Sequence, residues 1–597
     1  MKCRKLKKRY LIIFGILFLA FFPIRSYIQT LRIYYKFQSG INPVSDTIFL
    51  GVKSDLFYTP DEYNENSRLF YLCKIWGFVK YYHEHLPFPA KEMDSLLLTV
   101  IPKIILAPTK NEYVSILDSL LFFNDSLFTN KNPYPEISNY YLINNDWMRD
   151  TICLNTDLKE KLETIFYSHT GKVSNFVYNK SMVGNIRLKN EPEYDISYYP
   201  DQSLSLLALF RYWNVINYFY VYKNEAYNWE KVLYESIPRF LSISSKKQYH
   251  MEIYRLTNRL HETHASLPAT VDGEVFGPYR PNFRMMCIDS TFVISNIRVA
   301  DFEKENFHPG DIVLQVDNQD IRPLYDSLLQ FVSGGNYWIN QTLGCNAVLS
   351  RYDSTTLFTI LRGGDTLKIL SVNHTAWDIK QSELKVEREN EKSTLYKWIN
   401  DSIAYFDLRS ATPKNFKKNY QSIKSASSII LDLRCYPHTH LILNLTDAFV
   451  PPNSFFAYSS YPDTRFPGMV RYNKTTSNRI GSDNYYKGRV IILINEWTQS
   501  YSEYTTMALQ ANPKTITVGN SSSGSDGNIS IFKFPGGIQS IFSGIGIYYP
   551  DFTPTQGVGV RIDYIAEPTI ESIMNNIDAA YEKAVNIAKL GDYREIK

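Results

Sequence analysis

The chain has 597 residues, too many for one ordinary domain and enough for roughly three to five. Hydrophobic residues make up 44%, tyrosine is abundant (46) and glycine scarce (27), which excludes a low-complexity or fibrous protein. The net charge of +4 is spread without basic blocks beyond the N-terminus, so electrostatics give no case for nucleic acid as a partner.

In chain order, the first element is a basic stretch, MKCRKLKKRY, followed by the apolar run LIIFGILFLAFFPI, from Leu11 to Ile24. A basic n-region before an apolar h-region is an export signal. The run is shorter than the about 17–25 residues of a spanning helix, and it reaches that length only by including Arg25 and Ser26. No small-x-small cleavage site follows, so residues 1–28 are expected to be an uncleaved signal-anchor, with a cleaved signal peptide as the alternative. Both would carry the remainder across a membrane and leave the basic end inside. The expected location is the cell envelope: anchored in the inner membrane facing the periplasm, or secreted to the periplasm. Cys3, Cys73, Cys153, Cys287, Cys345 and Cys435 form no C-x-x-C pair and imply neither a metal site nor a disulfide framework. Cys3 precedes the apolar run and so is not a lipobox cysteine.

An internal duplication comes next. RLFYLCKIWGFVKYYHEHL, from Arg68, is similar to SLLALFRYWNVINYFYVYK, from Ser205; Leu69, Trp76 and Tyr81 match Leu206, Trp213 and Tyr218, an offset of 137 residues. Each copy has apolar residues at helical spacing, which predicts a small helical hairpin unit whose aromatic stripe is core. The first copy belongs to an expected N-terminal domain over residues 45–195, and the second to residues 196–272. Over residues 273–376 the texture changes to short β-type runs between turns. PGDIVLQVDNQDI, with its Pro-Gly-Asp turn, strand and Asp-Asn turn, resembles a PDZ domain. Such domains bind peptide C-termini by adding a strand to a sheet edge.

Residues 377–597 alternate strand and helix. SIAYFDLRS, SSIILDLRCYP, VIILIN and TITVGN read as strands, and NFKKNYQSIKSA and IDAAYEKAVNIAKL as helices, an order that argues for a layered sheet with helices on its faces. The run Val490 to Ile494 stops at Asn495, a short polar turn comes after it, and a helical stretch opens at Tyr501. A serine at such a bend, here Ser500, is where many hydrolases place a nucleophile. The first helix amides point outward there and the dipole favours negative charge. Ser500 also fits a plain N-cap, with Glu503 completing a capping box. Ser502 lies one step into the helix, where its side chain turns away.

SIILDLRCYP, INEWTQSYSEYTTMALQ, TVGNSSSGSDGN and QGVGVRIDY come in an order and spacing that resemble the tail-specific, or C-terminal-processing, serine peptidase family, which includes the tricorn core. The likeness covers residues 201–588 and is strongest over 427–563. It implies a multidomain α+β fold: a helical repeat N-terminal region, a PDZ-like β domain, and an α/β peptidase core with crotonase-like layering. It implies Ser500 as nucleophile and the Tyr501 amide as one oxyanion donor. The family's second donor comes from a Gly pair, where this chain has His438 and Thr439; backbone amides remain, but glycine-only geometry is lost. The downstream lysine of many members falls on Ser525, so a Ser/Lys dyad is absent. The tricorn branch takes its base from a histidine before the PDZ-like region, preceded by a hydroxyl residue, and HETHAS supplies Thr263 and His264 in that arrangement. Neutral imidazole is a competent base near pH 7. His261, His438 and His440 are its rivals. Where the family has a glutamate to orient the base, this chain has Gln556; Glu503 and Asp563 are the alternatives. Thr263 and Gly524 are candidate substrate-binding positions.

The expected function is an exported or membrane-anchored serine endopeptidase acting on extended polypeptides. No cofactor or metal is implied: there is no P-loop, no H-E-x-x-H and no cysteine cluster. The alternative is a catalytically impaired peptidase-fold protein that binds peptides or protein C-termini, which the altered Gly pair, the missing lysine and Gln556 favour.

Overall fold

The computed structural model describes residues 58–107, 109–128, 140–141, 145–179, 183–196, 198–223, 228–298, 306–390, 395–436, 440–477 and 483–590. The expected export segment, residues 1–28, lies outside them. Among the described residues no helix is long and apolar enough to cross a membrane.

Each of the two similar stretches folds as three helices rather than a two-helix hairpin: Glu65–Tyr82, Met93–Leu106 and Lys110–Leu120, then Gln202–Phe219, Trp229–Leu241 and Lys246–Asn258. Asn64, Thr109, Asp201, Asn228 and Ser245 cap five of them by accepting an amide three residues on. The leading helix of each copy is buried almost all round, which is why its sequence is apolar on every face. The two tryptophans make the same bond in each copy: Trp76 Nε1 donates to the Met93 carbonyl (3.0 Å) and Trp213 Nε1 to the Trp229 carbonyl (2.8 Å). The copies also meet at matched positions. A Cβ on Gly77 would fall 1.8 Å from the Asn214 side chain, and the Tyr81 and Tyr218 rings lie 5.3 Å apart edge to face. Glycine at 77 thus leaves room for the Asn214 amide between the two leading helices.

The middle unit is an antiparallel sheet in the order Asp365–Val372, Thr355–Arg362, Ile312–Val316, Thr291–Ile297, Phe283–Ile288. Helices Ile321–Leu328 and Tyr337–Leu349 cover it, and it has its own core around Phe283, Phe292, Val316, Cys345 and Phe358. The Asp317–Asn318 turn takes positive φ at both residues (+50° and +62°), the geometry that joins tight hairpins.

The C-terminal sheet runs Tyr396–Asn400, Ile403–Asp407, Ser428–Asp432, Arg489–Ile494, Thr515–Gly519, Tyr564–Ile565, parallel except for the first strand. Both faces are covered. Ile430, Ile491, Leu493 and Ile516 pack on helix Ala579–Lys589, while Ile429, Leu431, Ile492 and Ile494 share a core with Phe416, Leu445, Phe449, Met507 and Ala508 of the opposite helices. Such double coverage explains the continuous apolar strands.

The parts are knit together. The hairpin of strands Ile529–Lys533 and Gln539–Ser543 leaves the C-terminal region and places Phe532, Phe534 and Phe542 in the same core as both helical copies, with the Tyr212 ring 5.1 Å from Phe532. Strand Tyr140–Tyr141 pairs with Val470–Thr476. Those contacts bring the tail of the second helical copy to the end of the parallel sheet.

Candidate active site

Strand Arg489–Ile494 ends in a turn closed by the Thr498 amide donating to the Asn495 carbonyl (2.8 Å), with Thr498 Oγ1 bonded to the Leu433 carbonyl (2.9 Å). Gly519 ends the neighbouring strand; a Cβ there would lie 2.0 Å from the Ile494 carbonyl, so only glycine lets the next loop cross beneath this turn. Ser500 has φ +53° and ψ −111°, a conformation that costs an L-residue about 1–3 kcal/mol. A strained strand-to-helix turn of this kind lifts a serine hydroxyl clear of the sheet. The Ser500 side chain is half-buried, and its Oγ donates to the Gly527 carbonyl at 3.4 Å. The Tyr501 amide opens helix Tyr501–Gln510 and donates to no acceptor among the described residues, as an oxyanion donor requires. Ser502 is buried and committed elsewhere, donating to the Cys435 carbonyl at 2.6 Å.

The loop after Gly519 wraps this elbow, and Glu503 holds it. The fully buried Glu503 carboxylate accepts from the amides of Ser500 (3.0 Å), Gly524 (2.8 Å) and Ser525 (3.1 Å) and from Ser522 Oγ (2.6 Å). Burial raises its pKa, against the pull of those four donors. The Ser500 amide also donates to the Ser525 carbonyl (3.0 Å). Asp526 is buried beside them. Its Oδ1 accepts the Gly527 amide (2.6 Å), and its Oδ2 has no partner among the described residues. Burial, and then the nearby Glu503 charge, hold the Asp526 carboxyl well above the usual aspartate range.

His264 reaches the same loop from the other side. After helix Lys246–Asn258 the chain turns through His261 (φ +48°), and the next residues dock on loop 523–527. The Thr263 amide donates to Ser525 Oγ (2.8 Å), Ser523 Oγ donates to Thr263 Oγ1 (3.0 Å), and so does the Gly335 amide (3.2 Å). His264 is largely buried, with Nδ1 3.0 Å from Ser543 Oγ and 3.3 Å from Glu262 Oε1. Glu262 is fully buried, and its Oε1 accepts both the Ser543 amide (2.5 Å) and the Ser543 hydroxyl (2.6 Å). Ser543 Oγ also lies 3.4 Å from the Asp526 carbonyl, one residue from the Gly527 carbonyl that Ser500 Oγ contacts. The imidazole and the Ser500 hydroxyl are therefore linked through the 523–527 loop rather than by a direct hydrogen bond.

The other expected residues fall in different roles. Gln556 does not face the imidazole: its Nε2 donates to the His261 carbonyl (3.1 Å) and its Oε1 has no partner among the described residues. Glu503 is turned to the loop and not to His264, and Asp563 accepts the Thr517 amide (2.8 Å) on the sheet. Thr263 commits its amide and hydroxyl to loop contacts, and Gly524 its amide and carbonyl, the latter accepting the Gly557 amide (2.8 Å). His438 and Thr439 lie outside the described residues. His440 packs its ring edge on Tyr501, centroids 4.7 Å apart. Sequence reasoning missed Asp526, Glu262 and Ser543. Glu262 stands inside HETHAS, two residues before the histidine it contacts; Ser543 had no local signal. Among the described residues no group of His, Cys, Asp and Glu could hold a metal ion.

A strained serine at a strand-to-helix elbow, an open amide beside it, and a histidine on the flanking loop are the arrangement of a serine hydrolase on a layered α/β fold. Residues 402–566 match the family model described as Peptidase family S41. Mature CPAF complexed with lactacystin shares the fold at 12% identity and TM-score 0.50, the match covering 65% of this chain and 98% of that one. A CPAF mutant gives TM-score 0.51 at 12% identity, covering 65% and 97%. A peptidase-titled structure from Parabacteroides merdae is 14% identical over 67% of this chain and 100% of its own, at TM-score 0.41. No curated protein matches the chain. The match to Peptidase family S41 is confined to residues 402–566, and the likeness to the CPAF structures is one of fold.

Proposed function

We propose that the chain is a serine endopeptidase in which Ser500 is the nucleophile and His264 its base. The observation that carries this reading is the Ser500 backbone, held at φ +53° beside the open Tyr501 amide. Ser500 Oγ attacks the carbonyl carbon of a peptide bond while His264 Nε2 takes its proton. The negative charge moving onto the carbonyl oxygen is met by the Tyr501 amide; one such donor is worth about 3–4 kcal/mol in the transition state. Collapse breaks the C–N bond, the leaving amine takes the proton from His264, and water repeats the sequence on the acyl-serine. Ring and hydroxyl close to hydrogen-bonding range when substrate enters, since catalytic contacts are commonly loose in the free enzyme.

The substrate is an extended polypeptide, held by the PDZ-like unit. Support comes from the joint between the unit and the active-site loop, where Asn336 Nδ2 donates to the Ser522 carbonyl (2.5 Å). The basic and apolar N-terminus supports export, with the peptidase in the cell envelope and tethered to the membrane. A fluorophosphonate probe tests the reading. It is expected to modify the wild-type protein at Ser500 and to leave Ser500→Ala unmodified. An unmodified wild type would leave the alternative, a peptide-binding protein on an inactive peptidase scaffold, for which Gln556 in place of a carboxylate speaks.

A further inference from the structure

We infer that Glu262, acting through the Ser543 hydroxyl, is the positioning residue of His264; this rests on the reading of His264 as the base. The hydrogen-bond directions decide the protonation of the ring. Glu262 Oε1 accepts two donors, the Ser543 amide at 2.5 Å and the Ser543 hydroxyl at 2.6 Å, so that oxygen carries no proton of its own. The one hydroxyl proton of Ser543 is thereby used, and its Oγ faces His264 Nδ1 at 3.0 Å as an acceptor. Nδ1 must then carry the ring proton, which leaves Nε2 with a lone pair, the tautomer a base for Ser500 needs. When Nε2 takes the serine proton, the imidazolium stands 3.3 Å from the Glu262 carboxylate. At this depth the pairing of the two charges outweighs what screening would leave to a surface pair.

Gln556 cannot do this work, since it faces the His261 carbonyl and bears no charge. The acid beside the ring lies on the turn that carries the histidine itself. The other titratable groups facing Glu262 are the phenols of Tyr212, Tyr220 and Tyr222 from the second helical copy. Burial and the Glu262 charge push the Tyr212 and Tyr220 phenols up, so they stay neutral. Asp526 approaches the network only through its backbone carbonyl, 3.4 Å from Ser543 Oγ.

The test is the rate of Ser500 modification by a fluorophosphonate, measured against pH, which needs no known substrate. Glu262→Gln is expected to slow the reaction on the order of 100-fold at neutral pH, within the range that loss of the orienting acid costs a serine triad. Its acid limb moves to lower pH, because the imidazolium has lost its counter-charge. Ser543→Ala, which keeps the direct 3.3 Å contact, is expected to slow it on the order of tenfold with a smaller move in the same direction. A purely structural role for Glu262 would lower the melting temperature and leave the pH profile alone. Wild-type rates and an unmoved acid limb in folded Ser543→Ala overturn the inference even if Glu262→Gln fails to fold. A wild type that is never modified at Ser500 overturns the peptidase reading instead, and the inference with it.

Discussion

The two helical copies differ in the segment after their third helix. Both chains turn there through a non-glycine residue of positive φ, Phe122 (+45°) in the first copy and His261 (+48°) in the second. The first copy then runs into the exposed residues Asn124, Ser126 and Leu127, with the Ser126 amide donating to Asn124 Oδ1. The second runs into Glu262–His264, buried against the loop that wraps Ser500. Equivalent helices, equivalent tryptophan bonds and an equivalent turn thus lead to solvent in one case and to chemistry in the other. On the proposed reading the duplicated part is scaffold, and the chemistry rests on a few residues appended to one copy, as expected when sites are grafted onto folds.

The largest expected effect sets the copies against each other directly. Trp76→Ala and Trp213→Ala each remove a fully buried indole and its hydrogen bond, and each is expected to cost about 3–5 kcal/mol of unfolding free energy in urea titrations. Only Trp213→Ala should also slow Ser500 modification, because its neighbour Tyr212 packs on the hairpin that carries Ser543. Equal losses of activity would mean that the first copy also shapes the site.

A smaller effect separates strain from chemistry at the elbow. Ser500→Gly and Ser500→Ala both remove the nucleophile, but only glycine accepts φ +53° freely. Relief of about 1–3 kcal/mol of strain exceeds the 0.5–1 kcal/mol or so that glycine loses in chain entropy. Ser500→Gly should therefore be the more stable of the two by about 1 kcal/mol in thermal unfolding. The reverse order would show that the elbow is unstrained.

The smallest is a pH dependence at Asp526. Its folded pKa is raised, so the folded chain holds a proton that the unfolded chain releases as pH climbs above the ordinary aspartate range. Stability is lost as pH rises through that window toward the folded pKa. Asp526→Asn removes the penalty, and the variant's melting temperature should gain on wild type as pH rises above the ordinary aspartate range. A gain that shrinks over that range would contradict the raised pKa.

Much of this was legible in the sequence, for local reasons. The apolar run to Ile494, the polar turn and Ser500 are consecutive, so strand, elbow and helix could be read from periodicity alone. The parallel strands and the closing helix were legible in the same way. The features that could not be read depend on residues far apart in sequence. Ser543 meets Glu262 only because a hairpin leaves the peptidase core and enters the helical one. Glu503 was legible as half of a capping box, since its carboxylate does accept the Ser500 amide, but its three further donors come from a loop about twenty residues on. Gln556 was expected beside the imidazole by position in the chain; its amide instead fixes the turn that presents the ring.

The central claim is that the tail of the second helical copy activates the serine of the peptidase core. It is tested most directly by mapping the fluorophosphonate adduct by mass spectrometry and timing its formation in wild type and in His264→Ala. The account predicts an adduct on Ser500 that forms on the order of a thousand-fold more slowly without the imidazole. An adduct on another residue, or one that forms on Ser500 equally fast in both proteins, would contradict it.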